Sequence, residues 1–282
     1  MKKLLTVFLT MMLLSGFVTI GKVQAGTLFD LNLNTLNPGW GYYDDIYLVA
    51  VDGFSSVDQS FGGDGVFNDG DTFTESAVFQ KISYRQSPVG NTKYFSGLIA
   101  DTMMMFVYAP MLSGYAENVT ATTFDYVFDP GSLISIFIGP EQDLDTIDAA
   151  YLASAIKVAE LTLSAGSGAG LDGFFTGGEN TGTTRVTATM NYGSTPADVW
   201  SVDGLGDLTE LAYPTTLILD TTNSNEAPVL YGSTDQALAP GGFKALVTST
   251  GRVELNAVPE PTTALLLGVG LLGLGALGRR KS

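Results

Sequence analysis

"FDYVFDPGSLISIFIGP", residues 124–140, places two runs rich in Phe, Tyr, Val and Ile on either side of Asp129-Pro130-Gly131. Aromatic and β-branched residues suit a pleated, half-buried surface. Pro presets φ, Gly accepts positive φ, and Asp bonds its own backbone, so the triplet between them reads as a turn. "RVTATMNY" (185–192) repeats the message: Val186, Ala188, Met190 and Tyr192 face one way, Thr187, Thr189 and Asn191 the other. Further strands are expected at Ile46–Val51, Thr72–Tyr84, Met103–Tyr108, Ile156–Leu163 and Thr216–Leu219. A last hairpin would pair Phe243–Thr248 with Arg252–Ala257 around Ser249–Gly251. Met103-Met104-Met105-Phe106 reads as strand core with adaptable side chains.

Only Asp143–Ser154 has the makings of a helix, with Asp143 or Asp145 as its cap. There is no alternation of strand and helix that would build a parallel sheet. Many short strands with Gly-rich turns predict a mainly β fold, an antiparallel β-sandwich over residues 26–257. The Gly/Ser/Thr stretch Ser164–Thr184 is either a long surface loop or a seam between two packed halves. The lack of an internal repeat across it favours the loop.

The two ends differ from this body. Lys2 and Lys3, the apolar Leu4–Phe17 and the small-residue site Val23-Gln24-Ala25 before Gly26 form a secretory signal peptide over residues 1–25. Cleavage is expected between Ala25 and Gly26, after use of the Sec translocon and signal peptidase. Residues 258–282 hold Pro259-Glu260-Pro261, then the uncharged Ala264–Gly278, then Arg279, Arg280 and Lys281. As a helix, Ala264–Gly278 is about 22 Å long, a marginal transmembrane span once the terminal cations snorkel to the headgroups. Those cations stay on the cytoplasmic side, which puts the body outside. Each Pro disfavours helix in the residue before it, so Pro259-Glu260-Pro261 is held extended just outside the bilayer. The two G-x-G-x-x-G matches within the tail have no strand before them and are not nucleotide sites.

Charge and missing residue types exclude much. Of the 13 basic residues six lie in the ends, and of the 29 acids only Glu260 does; residues 26–257 therefore hold 7 basic and 28 acidic residues, a formal charge of −21. Such a body is repelled by nucleic acid. The chain has no Cys and no His. That removes disulfides, thiolate nucleophiles, Ser-His-Asp triads and Cys/His zinc sites.

Two body segments are candidates for binding. "DQSFGGDGVFNDGDTFTESAVFQ" (58–80) gathers Asp64, Asn68, Asp69, Asp71 and Glu75 in a Gly-rich setting, oxygen ligands of the kind Ca²⁺ takes. It fits no EF-hand, since Gly70 at the sixth position puts Gly65 at the first and Ser76 at the twelfth. The competing reading is an Asx-rich turn between strands. "WGYYDDIY" (40–47) sets Trp40, Tyr42, Tyr43 and Tyr47 beside Asp44 and Asp45, suited either to sugar rings or to cross-strand packing.

The tail resembles the PEP-CTERM sorting signal of bacterial exosortase substrates: Pro-Glu-Pro, a short span and a basic cluster in that order. The 58–80 segment is similar to one in flocculation-associated proteins of that kind. The resemblance implies export, transient inner-membrane insertion, exosortase recognition at Pro259–Pro261 and a mature form at the cell surface or outside it. The role of the body is read from other marks: the two addressed ends, the β-rich body, its acidity and the missing catalytic residue types point to a non-enzymatic adhesive or structural role in biofilm, exopolysaccharide or floc formation. The alternative is a carbohydrate-binding or glycan-processing secreted sandwich.

Overall fold

The computed structural model describes residues 29–86, 93–94, 103–140, 147, 149–172, 180–202, 206–210, 215–225 and 242–257. The strands are β1 (Phe29–Asn32), β2 (Tyr42–Ser60), β3 (Thr72–Gln86), β4 (Lys93–Tyr94), β5 (Met103–Glu117), β6 (Thr123–Phe128) and β7 (Leu133–Pro140). After the short helix α1 (Ala149–Ser154) follow β8 (Ile156–Leu163), β9 (Gly168–Asp172), β10 (Asn180–Met190), β11 (Trp200–Val202), β12 (Gly206–Asp207), β13 (Thr215–Asn225) and β14 (Gly242–Ala257).

The main sheet closes on itself. β2 is bonded along one side to β3 and along the other to β14, where Val51↔Gly251 and Ser60↔Gly242 bound the shared ladder. Between these ends the chain meanders through β5, the β6–β7 line, the β8–β9 line, β10 and β13, every pairing antiparallel. The result is an eight-stranded, barrel-like ring. The expected antiparallel β class holds, and the sandwich does not. A sandwich and a barrel share the same period-two pattern, one apolar face per strand. What separates them is whether the first and last strands pair, and here they do.

Bulges coil the sheet far enough to meet itself. Irregular register falls at Leu48–Asp52 in β2, at Glu75–Ala77 against β5, and at Ile136–Phe137 against β8. In β5 Pro110 and Met111 stand where β3 has only Ser76, so Ala109 and Leu112 both point inward. Pro suits that position because it has no N–H to give the ladder.

Asp129-Pro130-Gly131 kinks the chain without reversing it. β6 and β7 lie end to end along β5, β6 beside Gly114–Glu117 and β7 beside Met103–Tyr108. β8 and β9 are broken at the same level. The kink is stitched by Asp129 N–H to Ser113 O (2.8 Å), Gly131 N–H to Leu163 O (2.9 Å) and Leu163 N–H to Ser132 O (2.8 Å). The buried Ser167 hydroxyl acts as a rung, accepting the Thr187 N–H at 3.0 Å.

Three expectations need correcting. Ser164–Thr184 is not one long loop or a seam: after a tight turn at Ser164–Ser167 its described residues are β9, paired with β6 and β10, and the start of β10. Its glycines serve close approach: a Cβ on Gly168 would stand 2.8 Å from Tyr126 O. Ser249–Gly251 is not a hairpin turn but the middle of one continuous strand. A Cβ on Gly251 would meet Asp220 O at 2.2 Å, so this glycine too marks strands in contact. The helix is shorter than predicted, with Asp143 and Asp145 outside the described residues.

α1 explains Met103–Phe106. Met105 and Val107 fill the barrel, whereas Met104, Phe106 and Val78 face outward and are buried under Tyr151 and Leu152. Phe106 stacks on Phe137 at 5.4 Å and tilts against Tyr151 at 5.6 Å. A strand covered on both faces loses its alternation.

Beyond Val51 the start of β2 leaves β14 and takes up β1, with Phe29↔Ile46. β1 in turn pairs β11 through Leu31↔Trp200, and β12 completes a small annex. Phe29, Leu31, Leu33, Val199, Trp200 and Leu208 join the barrel core as one cluster. The predicted signal peptide and the predicted span lie outside the described residues, among which no helix is long and apolar enough to cross a membrane.

Candidate functional site

The acid-rich segment forms the loop from β2 to β3 at the barrel end opposite the annex. Asp71 is only 7% exposed, and its carboxylate accepts the Gly62 and Asn68 N–H groups, each at 2.7 Å. Asp64 accepts the Val66 N–H at 3.0 Å and the Asn68 side-chain amide at 2.9 Å. Asp69 reaches across to take the Val119 N–H at 2.7 Å, tying this loop to the one between β5 and β6. Phe67 is the wedge beneath, 5.0 Å from Phe124 and edge-on to it, and 5.9 Å from Phe61. A shallow depression lined by Phe67, Asn68, Asp69, Val119, Thr120 and Ala121 remains where the loops meet.

These carboxylates act as acceptors for backbone N–H groups, as Asx turns do. Glu75 is set apart from them. It lies two residues past Phe73 on the inward face of β3, opposite the buried Val57 and Leu112. The predicted calcium set is thus not gathered at one point, and among the described residues no group of three acids could hold a metal ion. Asp71→Ala is expected to cost about 2–3 kcal/mol, since two N–H groups lose a charged acceptor. Urea melts of the two proteins measure it, and a loss below about 0.5 kcal/mol would contradict the bracing role.

Burial raises the Glu75 pKa to about 7, and a hydrogen bond from Ser55 opposes that shift only in part. Tyr126 beside it is pushed well above its ordinary value, by burial first and by the Glu75 charge second. The alternation in "TFTESAVF" (72–79) carries this signal, because it puts Glu75 in phase with Phe73, Ala77 and Phe79. Grouping Glu75 with the loop acids hides it.

The aromatic segment does not make a platform. Tyr43 is buried and donates its hydroxyl to Trp40 O at 2.7 Å, Trp40 packs against the core, and Tyr42 stands out at 54% exposure. The side chains of Asp45 and Tyr47 lie outside what is described.

Pro259, Glu260, Pro261, Arg279, Arg280, Lys281, Ala25 and Gly26 also fall outside the described residues. β14 ends at Ala257, paired with the fully buried Thr215, so the Pro-Glu-Pro segment starts two residues beyond the closing strand. Comparison with curated proteins and with solved structures yields no match for the chain. Residues 257–281 match the family model of the PEP-CTERM protein-sorting motif. The chain therefore carries a PEP-CTERM protein-sorting signal, which implies export, transient anchoring in the membrane and processing by an exosortase.

Proposed function

We propose that the barrel is a non-enzymatic adhesive or structural component of the extracellular matrix, acting in biofilm, exopolysaccharide or floc formation at the cell surface or beyond it. The observation that carries this reading is the position of the sorting motif, directly after the strand that seals the barrel. Delivery outside the cell is the one task the sequence specifies in full. Supporting it, the barrel is filled by its own side chains, from Met105 and Val107 to Leu217 and Val253. The acids of its most distinctive loop brace that loop. The aromatic rings suited to a sugar platform, Trp40 and Tyr43, pack against or within the core.

Deleting the gene in the host bacterium is expected to reduce flocculation and retained exopolysaccharide, and the wild-type chain to restore both. A variant with alanine at Pro259, Glu260 and Pro261 should not restore them. Its uncleaved precursor should collect in the inner membrane, seen on blots as a band larger than the mature form. A deletion strain with unaltered flocs and matrix would refute the adhesive role. Normal release of the alanine variant would refute recognition at Pro259–Pro261.

A further inference from the structure

The chain leaves the barrel at a pinned point. Thr215, the partner of Ala257, is clamped by Tyr192, whose hydroxyl donates to Thr215 Oγ1 at 2.9 Å and accepts the Thr215 N–H at 3.1 Å. Just upstream, Val253 and Leu255 are buried opposite Leu219 and Leu217. Freeing this end of β14 would expose both apolar side chains to water, which opposes it. The strand therefore does not fray to lengthen the tether.

Reach then becomes decisive. An extended chain covers at most about 3.6 Å per residue, which puts Pro259 within about 7 Å of Ala257 and Pro261 within about 14 Å. A folded lobe of even 100 residues has a radius of about 13 Å. Any enzyme that grips Pro259–Pro261 must touch the end of the barrel. Among the described residues, the surface there includes the turn Tyr192–Ser194, the start of β13 and the end of β14. Among the described residues, Arg252–Ala257 pairs with β13 only, since β2 has already departed to β1.

We propose that this barrel end is a docking surface for the membrane-embedded exosortase, and that contact with it sets the sorting motif in the enzyme's site. The proposal rests on the exosortase reading above. A ten-residue Gly-Ser linker inserted between Ala257 and Val258 tests it, because such a chain adds about 17 Å of flexible spread and leaves every barrel residue in place. Pulse-chase labelling of the full-length chain in exosortase-bearing cells should give a processing half-time at least fivefold longer for the linker variant, with an unchanged thermal melt of the body. An equal or shorter half-time would overturn the docking surface. A wild-type chain that is never cut would instead overturn the exosortase reading, and the docking surface with it.

Discussion

Trp200→Ala is expected to lower the unfolding free energy by roughly 4–5 kcal/mol. Trp200 is 1% exposed and is the largest fully buried side chain among the described residues. It meets Phe29 edge-on at 6.5 Å and donates its indole N–H to Val158 O at 2.9 Å. One side chain thus joins β11 of the annex, β1 beside it and β8 of the ring. Truncation leaves a cavity on the scale of an indole and a carbonyl without its donor. A domain of this size shifts by roughly 2–4 °C per kcal/mol, so the melting temperature should fall by roughly 10–20 °C. Trp200→Phe refills much of the volume and should recover more than half of the loss. A fall of under about 3 °C in the alanine variant would mean that the annex is not part of the cooperative core.

Glu75→Gln should stabilise the protein, and only above mildly acidic pH. The folded-state pKa, about 7, lies above the ordinary carboxyl value of 4.5. Between these values the folded chain keeps a proton that the unfolded chain releases. Stability tied to Glu75 is therefore full below pH 4.5 and is lost as pH rises through 7. The loss approaches about 3 kcal/mol by pH 8. Tyr126 of β6, the strand next beyond β5, feels the Glu75 charge, while Ser55, Val57 and Gln59 of β2 and Leu112 of β5 bring no charge. The variant and the wild type should melt together at pH 4 and separate steadily towards pH 8, the variant being the more stable. Equal melts at both pH values would place the Glu75 carboxyl in solvent.

Strand positions were legible because each inward face has its own run of apolar residues. Val186, Ala188 and Met190 all point into the core as their alternation requires, and Ile156–Leu163 is a strand from end to end. Closure was not legible. The bond between β2 and β14 joins segments from opposite ends of the body, and nothing local in "VDGFSSVDQS" (51–60) names its partner. Glycine misled in one direction. Gly168 and Gly251 have the composition of turns, yet they sit where neighbouring strands leave no room for a Cβ. Met103–Phe106 concealed its alternation because α1 covers the second face. The loop acids were seen, but their partners are backbone N–H groups, which composition cannot distinguish from a metal ion. The sorting motif needed no tertiary information, since its meaning lies in the order of residues along the tail.

The last stave of the ring is also the last to cross during export. Amino-terminal segments emerge while β14 is still inside, so β2 waits with one rim of amides unclaimed, a rim open to pairing with other chains. Gly242–Ala257 stands directly before the sorting motif, so among the described strands the one that shuts the ring is the last to follow.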